Sequence, residues 1–177
     1  MTGPFVPVGI LNPIRAVVGI PHHRFNLFVK CSSPSAWAND AEMLVGNWKL
    51  VSFFAEDVQT KQRVNMYGEQ PTGAVAFTPR GRFFGITTAE GRKAPQTPEE
   101  QATAYRTMIA YTGKWRLEGD RFITKVDVAW DPAWVGTDRA RFWRVEGNKL
   151  FASTPPIPNP NVVGGMMIAT AVYEKEQ

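Results

Sequence analysis

The sequence predicts an all-β fold, an antiparallel up-and-down barrel of about eight or nine strands with one short helix. Three observations predict it. Short runs of aromatic and β-branched residues recur at regular spacing after Gly46, turn residues separate these runs, and most connections are short enough to be hairpins. Tight hairpins favour a barrel over a sandwich, because they join strands that are neighbours in one sheet.

The strand pattern can be followed to the end of the chain. The segments with strand character are Asn47–Glu56, Arg63–Tyr67, Thr72–Thr78, Arg82–Thr88, Tyr111–Leu117, Phe122–Trp130, Asp138–Val145, Lys149–Ser153 and Met166–Glu174. The proline-rich stretch from Pro155 to Pro160 predicts a stiff, irregular connection before the last strand.

The single predicted helix begins after Thr97. Thr97 is a suitable N-cap, Pro98 stands at the first helical position, and Glu100 stands at the third, which together form a capping box. Apolar residues at helical spacing continue through Ile109, so we expect the helix to end near Ala110 and to close one end of the barrel.

The length of 177 residues predicts one main domain. Residues 1–42 differ from the rest, because prolines break up their apolar patches, and we expect a disordered or leader-like extension before a barrel domain at 43–177. No apolar run is long enough to span a membrane. Ala36-Trp37-Ala38 resembles an export cleavage site, so both the cytoplasm and export remain open.

The net charge of +4 does not indicate nucleic-acid binding. The densest basic run, Arg139 to Arg144, has strand periodicity, so its side chains alternate between two faces. From Met43 onward the chain contains neither His nor Cys. That part therefore cannot hold a Ser-His-Asp triad, a thiolate nucleophile or a zinc site of His and Cys ligands. We expect no metal and no cofactor.

Several motifs follow one another in a recognisable order. Gly46-Asn47-Trp48 opens a G-x-W-x-L-x-S segment that ends at Ser52. The later matches are Gln70-Pro71-Thr72-Gly73, then Phe77 to Arg82, then Ala110 to Trp115, and Trp130 to Thr137 with Arg141. Over about residues 43–175 the chain resembles the bacterial and fungal lipocalin-like domain family.

The resemblance implies a calycin-type β-barrel whose relatives include carriers, domains beside biosynthetic enzymes and cyclase-type catalysts. It also implies that Trp48 plugs the closed end of the barrel, with Lys175 or Arg144 stacked on it. The chain departs from the family pattern at Asp127, where relatives often have His, and at its end, which lacks the frequent Trp-x-Arg. A mechanism that uses that His does not transfer.

Asp127 and Arg141 place charges on two neighbouring predicted strands. A hairpin centred near Trp134 would put them directly opposite, on the same side of the sheet. Two alternatives stay open: a salt bridge on the outer wall, or a pair inside the barrel mouth. In the mouth Arg141 would bind a ligand carboxylate, enolate or carbonyl, and Asp127 would hold Arg141 or act as a general base.

Aromatic residues supply the expected walls of a pocket. Tyr111 and Trp115 share a strand face, and Gly113 between them predicts either simple core packing or a small gap for a ligand. Phe53 or Phe54 would add a further wall. The predicted ligand-binding set is Tyr111, Trp115, Lys125, Asp127, Trp130, Arg141 and Trp143, and the candidate catalytic residues are Asp127, Arg141 and Tyr111.

These features predict binding of a small hydrophobic or amphipathic molecule inside the barrel. The alternative is a cofactor-free cyclase or isomerase that acts on a polyunsaturated or polyketide-like substrate in the same pocket. A third interpretation is a partner-binding domain, including a homodimer, with a filled interior and an exposed apolar patch.

Overall fold

The chain folds into an antiparallel β-sheet, in a computed structural model that describes residues 40–160 and 164–177. The strands are β1 (Gly46–Asp57), β2 (Arg63–Asn65), β3 (Thr72–Phe77), β4 (Arg82–Thr88), β5 (Met108–Glu118), β6 (Arg121–Ala129), β7 (Asp138–Glu146), β8 (Lys149–Ser153), β9 (Ile157–Pro158) and β10 (Met166–Lys175). One helix, α1 (Pro98–Arg106), joins β4 to β5, and a 3₁₀ helix (Pro132–Trp134) joins β6 to β7.

The sheet closes on itself, which confirms the predicted barrel. Strands follow the order β1-β3-β4-β5-β6-β7-β8-β10, and β1 pairs with β10 to close the ring. The short strands β2 and β9 extend the pairing beside β1 and β10. The sequence did not predict β9, because its two residues lie within the proline-rich connection.

One end of the barrel is closed by Trp48, which is 0% exposed. Its indole Nε1 donates a hydrogen bond of 2.8 Å to the carbonyl of Leu44, which lies in a helical turn at residues 40–44. The ammonium of Lys175 lies 5.1 Å from the ring centroid of Trp48. The expected plug is therefore present, with Lys175 on Trp48, whereas Arg144 stacks on Phe151.

A cluster of aromatic rings fills the interior above this plug. Phe77 makes edge-to-face contacts with Phe83, Trp115 and Phe122, with centroids 5.1, 5.3 and 5.1 Å away. Such contacts are favoured because the positive edge of one ring meets the negative face of another. The lower half of the barrel is therefore a packed core.

Helix α1 lies at the opposite, open end, between the far ends of β4 and β5. Its capping box forms as predicted, with the Thr97 hydroxyl accepting from the backbone of Glu100. The helix ends at Arg106, earlier than expected, because Met108 and Ala110 pair with Thr88 and Ile86 in the sheet. None of its residues is buried, so α1 does not plug this end.

The predicted N-terminal extension lies outside the described residues as far as position 39, and with it the segment that resembles an export cleavage site. In the part of the chain that the structure describes, no helix is long and apolar enough to cross a membrane.

We expect Trp48→Ala to lower the free energy of unfolding by about 3–5 kcal/mol, because it removes a fully buried ring and leaves a cavity. Chemical denaturation measures the loss. The control is Val64→Ala, since Val64 is 66% exposed, and this variant should stay within about 0.5 kcal/mol of the parent protein. Equal stability of the two variants would contradict the role assigned to Trp48.

Candidate ligand-binding cavity

Between the ring cluster and the open end lies an internal cavity of about 180 Å³. All barrel strands contribute to its wall, because alternate residues of each strand point inward. Its lining includes Phe53, Met66, Val75, Phe77, Phe83, Thr87, Ile109, Tyr111, Phe122, Trp134, Arg141, Leu150, Ala152, Thr154, Ile157, Ala169, Ala171 and Tyr173. The wall is thus mostly aromatic and aliphatic, with a small number of polar groups.

The polar groups of the cavity include two tyrosines, Tyr111 from β5 and Tyr173 from β10. Burial raises the pKa of Tyr173, and Tyr111 adds to the rise, whereas a hydrogen bond with Thr87 and the charge of Arg141 oppose it. The hydroxyl therefore keeps its proton at neutral pH and can donate a hydrogen bond. These interactions also place Thr87, Tyr111 and Arg141 close to Tyr173.

Trp134 covers part of the open end. The carboxylate of Asp131 accepts a hydrogen bond of 3.0 Å from the backbone of Ala133, and so caps the 3₁₀ helix that carries Trp134. The Trp134 ring lies 5.4 Å from Tyr111 and 4.7 Å from Trp130. Trp134 is therefore the aromatic residue that connects the cavity to the rim.

Arg139 lies beside Trp134, with its guanidinium carbon 3.6 Å from the ring centroid. Burial lowers the pKa of Arg139, and the positive charge of Arg141 lowers it further. The Nε of Arg139 is buried and makes no hydrogen bond. Two arginines of β7 therefore lie on its inner face, and the charge of Arg141 makes that of Arg139 less favourable.

The expected pair of Asp127 and Arg141 does not form. The register of β6 and β7 places Arg141 opposite Phe122, and the last paired residues are Lys125 and Asp138. The two strands therefore separate before Asp127, because the connection between them is longer than the predicted hairpin. The predicted hairpin, centred on Trp134 with Asp127 opposite Arg141, therefore had the wrong register.

Asp127 is instead the extra residue of a β-bulge. Thr112 pairs with Val128 and Gly113 pairs with Val126, which leaves Asp127 without an opposite residue. It points outward and forms a two-pronged ion pair with Arg82, in which Nη2 donates to Oδ1 at 3.0 Å. The carboxylate therefore lies on the outer wall, away from Arg141 and the cavity in which a general base was expected.

The bulge also reverses the strand alternation beyond Val126. Val128 and Trp130, expected on the same face as Phe122, instead contribute to a groove of about 600 Å³ on the outer wall. Val128 is 60% exposed. Trp130 is thus a residue of the rim and the outer wall and does not line the cavity.

Lys125 also lies outside the cavity. Its ammonium donates a hydrogen bond of 2.6 Å to the carbonyl of Gly136 and lies 3.7 Å from Asp138. Trp115 and Trp143 point inward but pack against the core, and the Trp115 indole donates to the carbonyl of Thr78 at 3.2 Å.

Tyr111 and Arg141 are the predicted ligand-binding residues that the fold brings to the cavity wall. Phe53, rather than Phe54, lines it as well. Tyr173 could have been predicted, since alternation places it on the face of Ala171 and Ala169 in the last strand. Trp134 could not, because its loop has no periodic pattern.

Gly113 does not leave a gap for a ligand, which was one of the two alternatives for this position. A Cβ at this position would lie 2.1 Å from the backbone oxygen of Lys125 and 3.0 Å from a methyl group of Thr124. The missing side chain is required by the close approach of β5 and β6 at the bulge. Its role is structural.

A comparison with known families agrees with this geometry. A model described as a lipocalin-like domain matches residues 45–169. The chain belongs to this family. The match extends from the start of the barrel into its last strand, and it includes most of the residues that line the cavity. The fold is suited to small-molecule binding, since barrels of this size can enclose one small ligand. No protein with a curated description matches the chain.

We expect Gly113→Ala to lower the free energy of unfolding of the lipocalin-like domain by about 2 kcal/mol or more, because the new methyl group meets the backbone of β6. The change is measured by chemical denaturation. Lys114→Ala, at the exposed neighbouring position of β5, is the control and should change stability by less than about 0.5 kcal/mol. A Gly113→Ala variant as stable as the control would contradict the proposed close approach.

Proposed function

We propose that this lipocalin-like protein binds a small hydrophobic or amphipathic molecule inside the barrel. The observation that carries the proposal is the internal cavity, which combines an apolar wall with the polar groups of Tyr111, Tyr173 and Arg141. Ligand sites have this character: apolar surface supplies affinity, and a few polar groups fix orientation.

The outer groove is larger than the cavity, but it suits a small molecule less well. It lies on the outer wall of the sheet, where Phe84 is 49% exposed and Val128 is 60% exposed. A ligand there would keep much of its surface in contact with water. Since apolar affinity grows with the area removed from water, the internal cavity is the preferred binding site.

The enzymatic alternative, a cofactor-free cyclase or isomerase, retains Arg141 and Tyr111 as candidate catalytic groups in the cavity. It has lost its candidate base, because Asp127 pairs with Arg82 on the outer wall. Binding requires only the groups that line the cavity, and we therefore propose binding rather than turnover.

The outer groove supports a separate proposal, contact between two copies of the chain. Its surface alternates by strand: small residues on β3 (Ala74 and Ala76), larger ones on β4 (Phe84 and Ile86), and small ones again at Ala110 and Thr112 of β5. A ridge of one copy would fit the furrow of the other in a two-fold arrangement. Exposed apolar patches of this kind are typical of interaction sites.

We expect the protein to bind naphthalene, a small apolar probe, with a loss of binding in Ala171→Leu because the added carbons occupy the cavity. Titration calorimetry measures the affinity. Ala76→Leu adds the same atoms to the outer groove and should leave binding unchanged. The proposal fails if naphthalene does not bind, or if Ala76→Leu removes binding and Ala171→Leu does not.

For the outer groove, we expect light scattering after size-exclusion chromatography to show a dimer that Phe84→Lys converts to a monomer, because a buried lysine would lack a partner. Val64→Lys adds the same charge at an exposed position of β2 and should leave the dimer intact. A parent protein that stays monomeric at all concentrations rules out this use of the groove.

A further inference from the structure

We propose that the ligand is a compact apolar acid, whose anionic group binds Arg141 with the charge of Arg139 close by. This inference rests on the proposed function, since it specifies the chemistry of a molecule bound in the same cavity. The arginines of the strands fall into two groups that differ in their carboxylate partners.

The strand arginines that point outward all have a carboxylate oxygen within 4.0 Å. The pairs are Arg63 with Glu56, Arg82 with Asp127, Arg116 with Glu118 and Asp138, Arg121 with Asp120, and Arg144 with Glu146. Arg139 and Arg141 have no carboxylate within 4.0 Å among the described residues, although the charge of Asp131 favours the charged form of Arg139. The outward arginines are thus paired by the protein, whereas Arg141 has no carboxylate partner in the described part of the chain.

Most of the N–H donors of Arg141 make no hydrogen bond to a described residue. Its guanidinium carries five N–H donors in a fixed fork, and it makes one described hydrogen bond, from Nη1 to the carbonyl of Ala140 at 2.8 Å. Arg141 lines the cavity, so its free edge is available to a ligand. The planar fork matches a carboxylate, to which it can donate two parallel hydrogen bonds.

The groups around Arg141 favour an anion as well. The hydroxyls of Tyr111 and Tyr173 lie in the same cavity and can donate hydrogen bonds to an anion there. The described lining contains no Asp or Glu that would compete for the cation. The positive charge of Arg141 already disfavours the charge of the partly desolvated Arg139, and an anion bound to Arg141 would offset that effect.

The cavity volume limits the apolar part of the acid. About 180 Å³ is smaller than the ligand sites of roughly 300–1,000 Å³ that are typical of proteins. The space fits one small ring system or a short chain, with the aromatic walls of Phe53, Phe83 and Phe122 around it. A long-chain fatty acid does not fit this volume.

The test compares two probes of the same shape, 2-naphthoate and 2-naphthamide, by titration calorimetry at neutral pH. We expect the parent protein to bind the naphthoate about tenfold or more tightly, as charged hydrogen bonds would provide. Arg141→Met should bring the two affinities close together. Arg144→Met removes the same charge from the outward face of β7 and should keep the preference.

Each outcome separates the two proposals. Equal affinity of the parent protein for both probes, or an unchanged preference in Arg141→Met, overturns the acid proposal and leaves binding in the barrel intact if naphthalene still binds. Failure of naphthalene and both probes to bind overturns both proposals. Should Arg141→Met not fold, Arg141→Gln, which keeps the polar character of the position, replaces it, with the same loss of preference expected.

Discussion

The pairing of β1 with β10 is the interaction on which the rest of the structure depends. It joins the first and the last barrel strand and gives every barrel strand an inner and an outer face. The enclosed space is small, and the large rings around Phe77 occupy its lower half. What remains is a cavity whose contents are set by the few residues that point inward above those rings.

Closure of the barrel also determines how well a charged side chain is hydrated and how strongly it interacts with its neighbours. An arginine on the outer wall can be hydrated and can meet a carboxylate of a neighbouring strand, as Arg82 meets Asp127. An arginine on the inner wall loses much of its water, and the electrostatic interactions around it become stronger. Arg139 replaces part of its lost hydration by stacking on Trp134. Arg141 retains N–H donors that make no hydrogen bond to a described residue.

The sequence was sufficient for the fold and for part of the site. The strand segments and the Thr97 capping box follow from local patterns, the Trp48 plug follows from the family resemblance, and the structure confirms them. The assignment of Asp127 failed because a period of two residues carries no information about an inserted residue: one bulge turns everything beyond it to the other face. The register of β6 and β7 depends on a loop whose 3₁₀ helix has no repeating pattern.

The position of Trp134 has a consequence for how a ligand of the proposed kind would reach the cavity from solvent. The barrel wall is a continuous hydrogen-bonded ring, whereas Trp134 is carried by a three-residue turn, Pro132–Trp134. The Asp131 cap, a hydrogen bond from Thr137 to the Trp134 carbonyl and ring contacts with Tyr111 and Trp130 hold this turn in place. A ligand bound in the cavity as proposed would have to pass this turn or separate strands of the barrel, and moving the turn breaks fewer hydrogen bonds. Its rate of release would then be set by this turn and its affinity by the inner wall, so that different substitutions would change the two quantities.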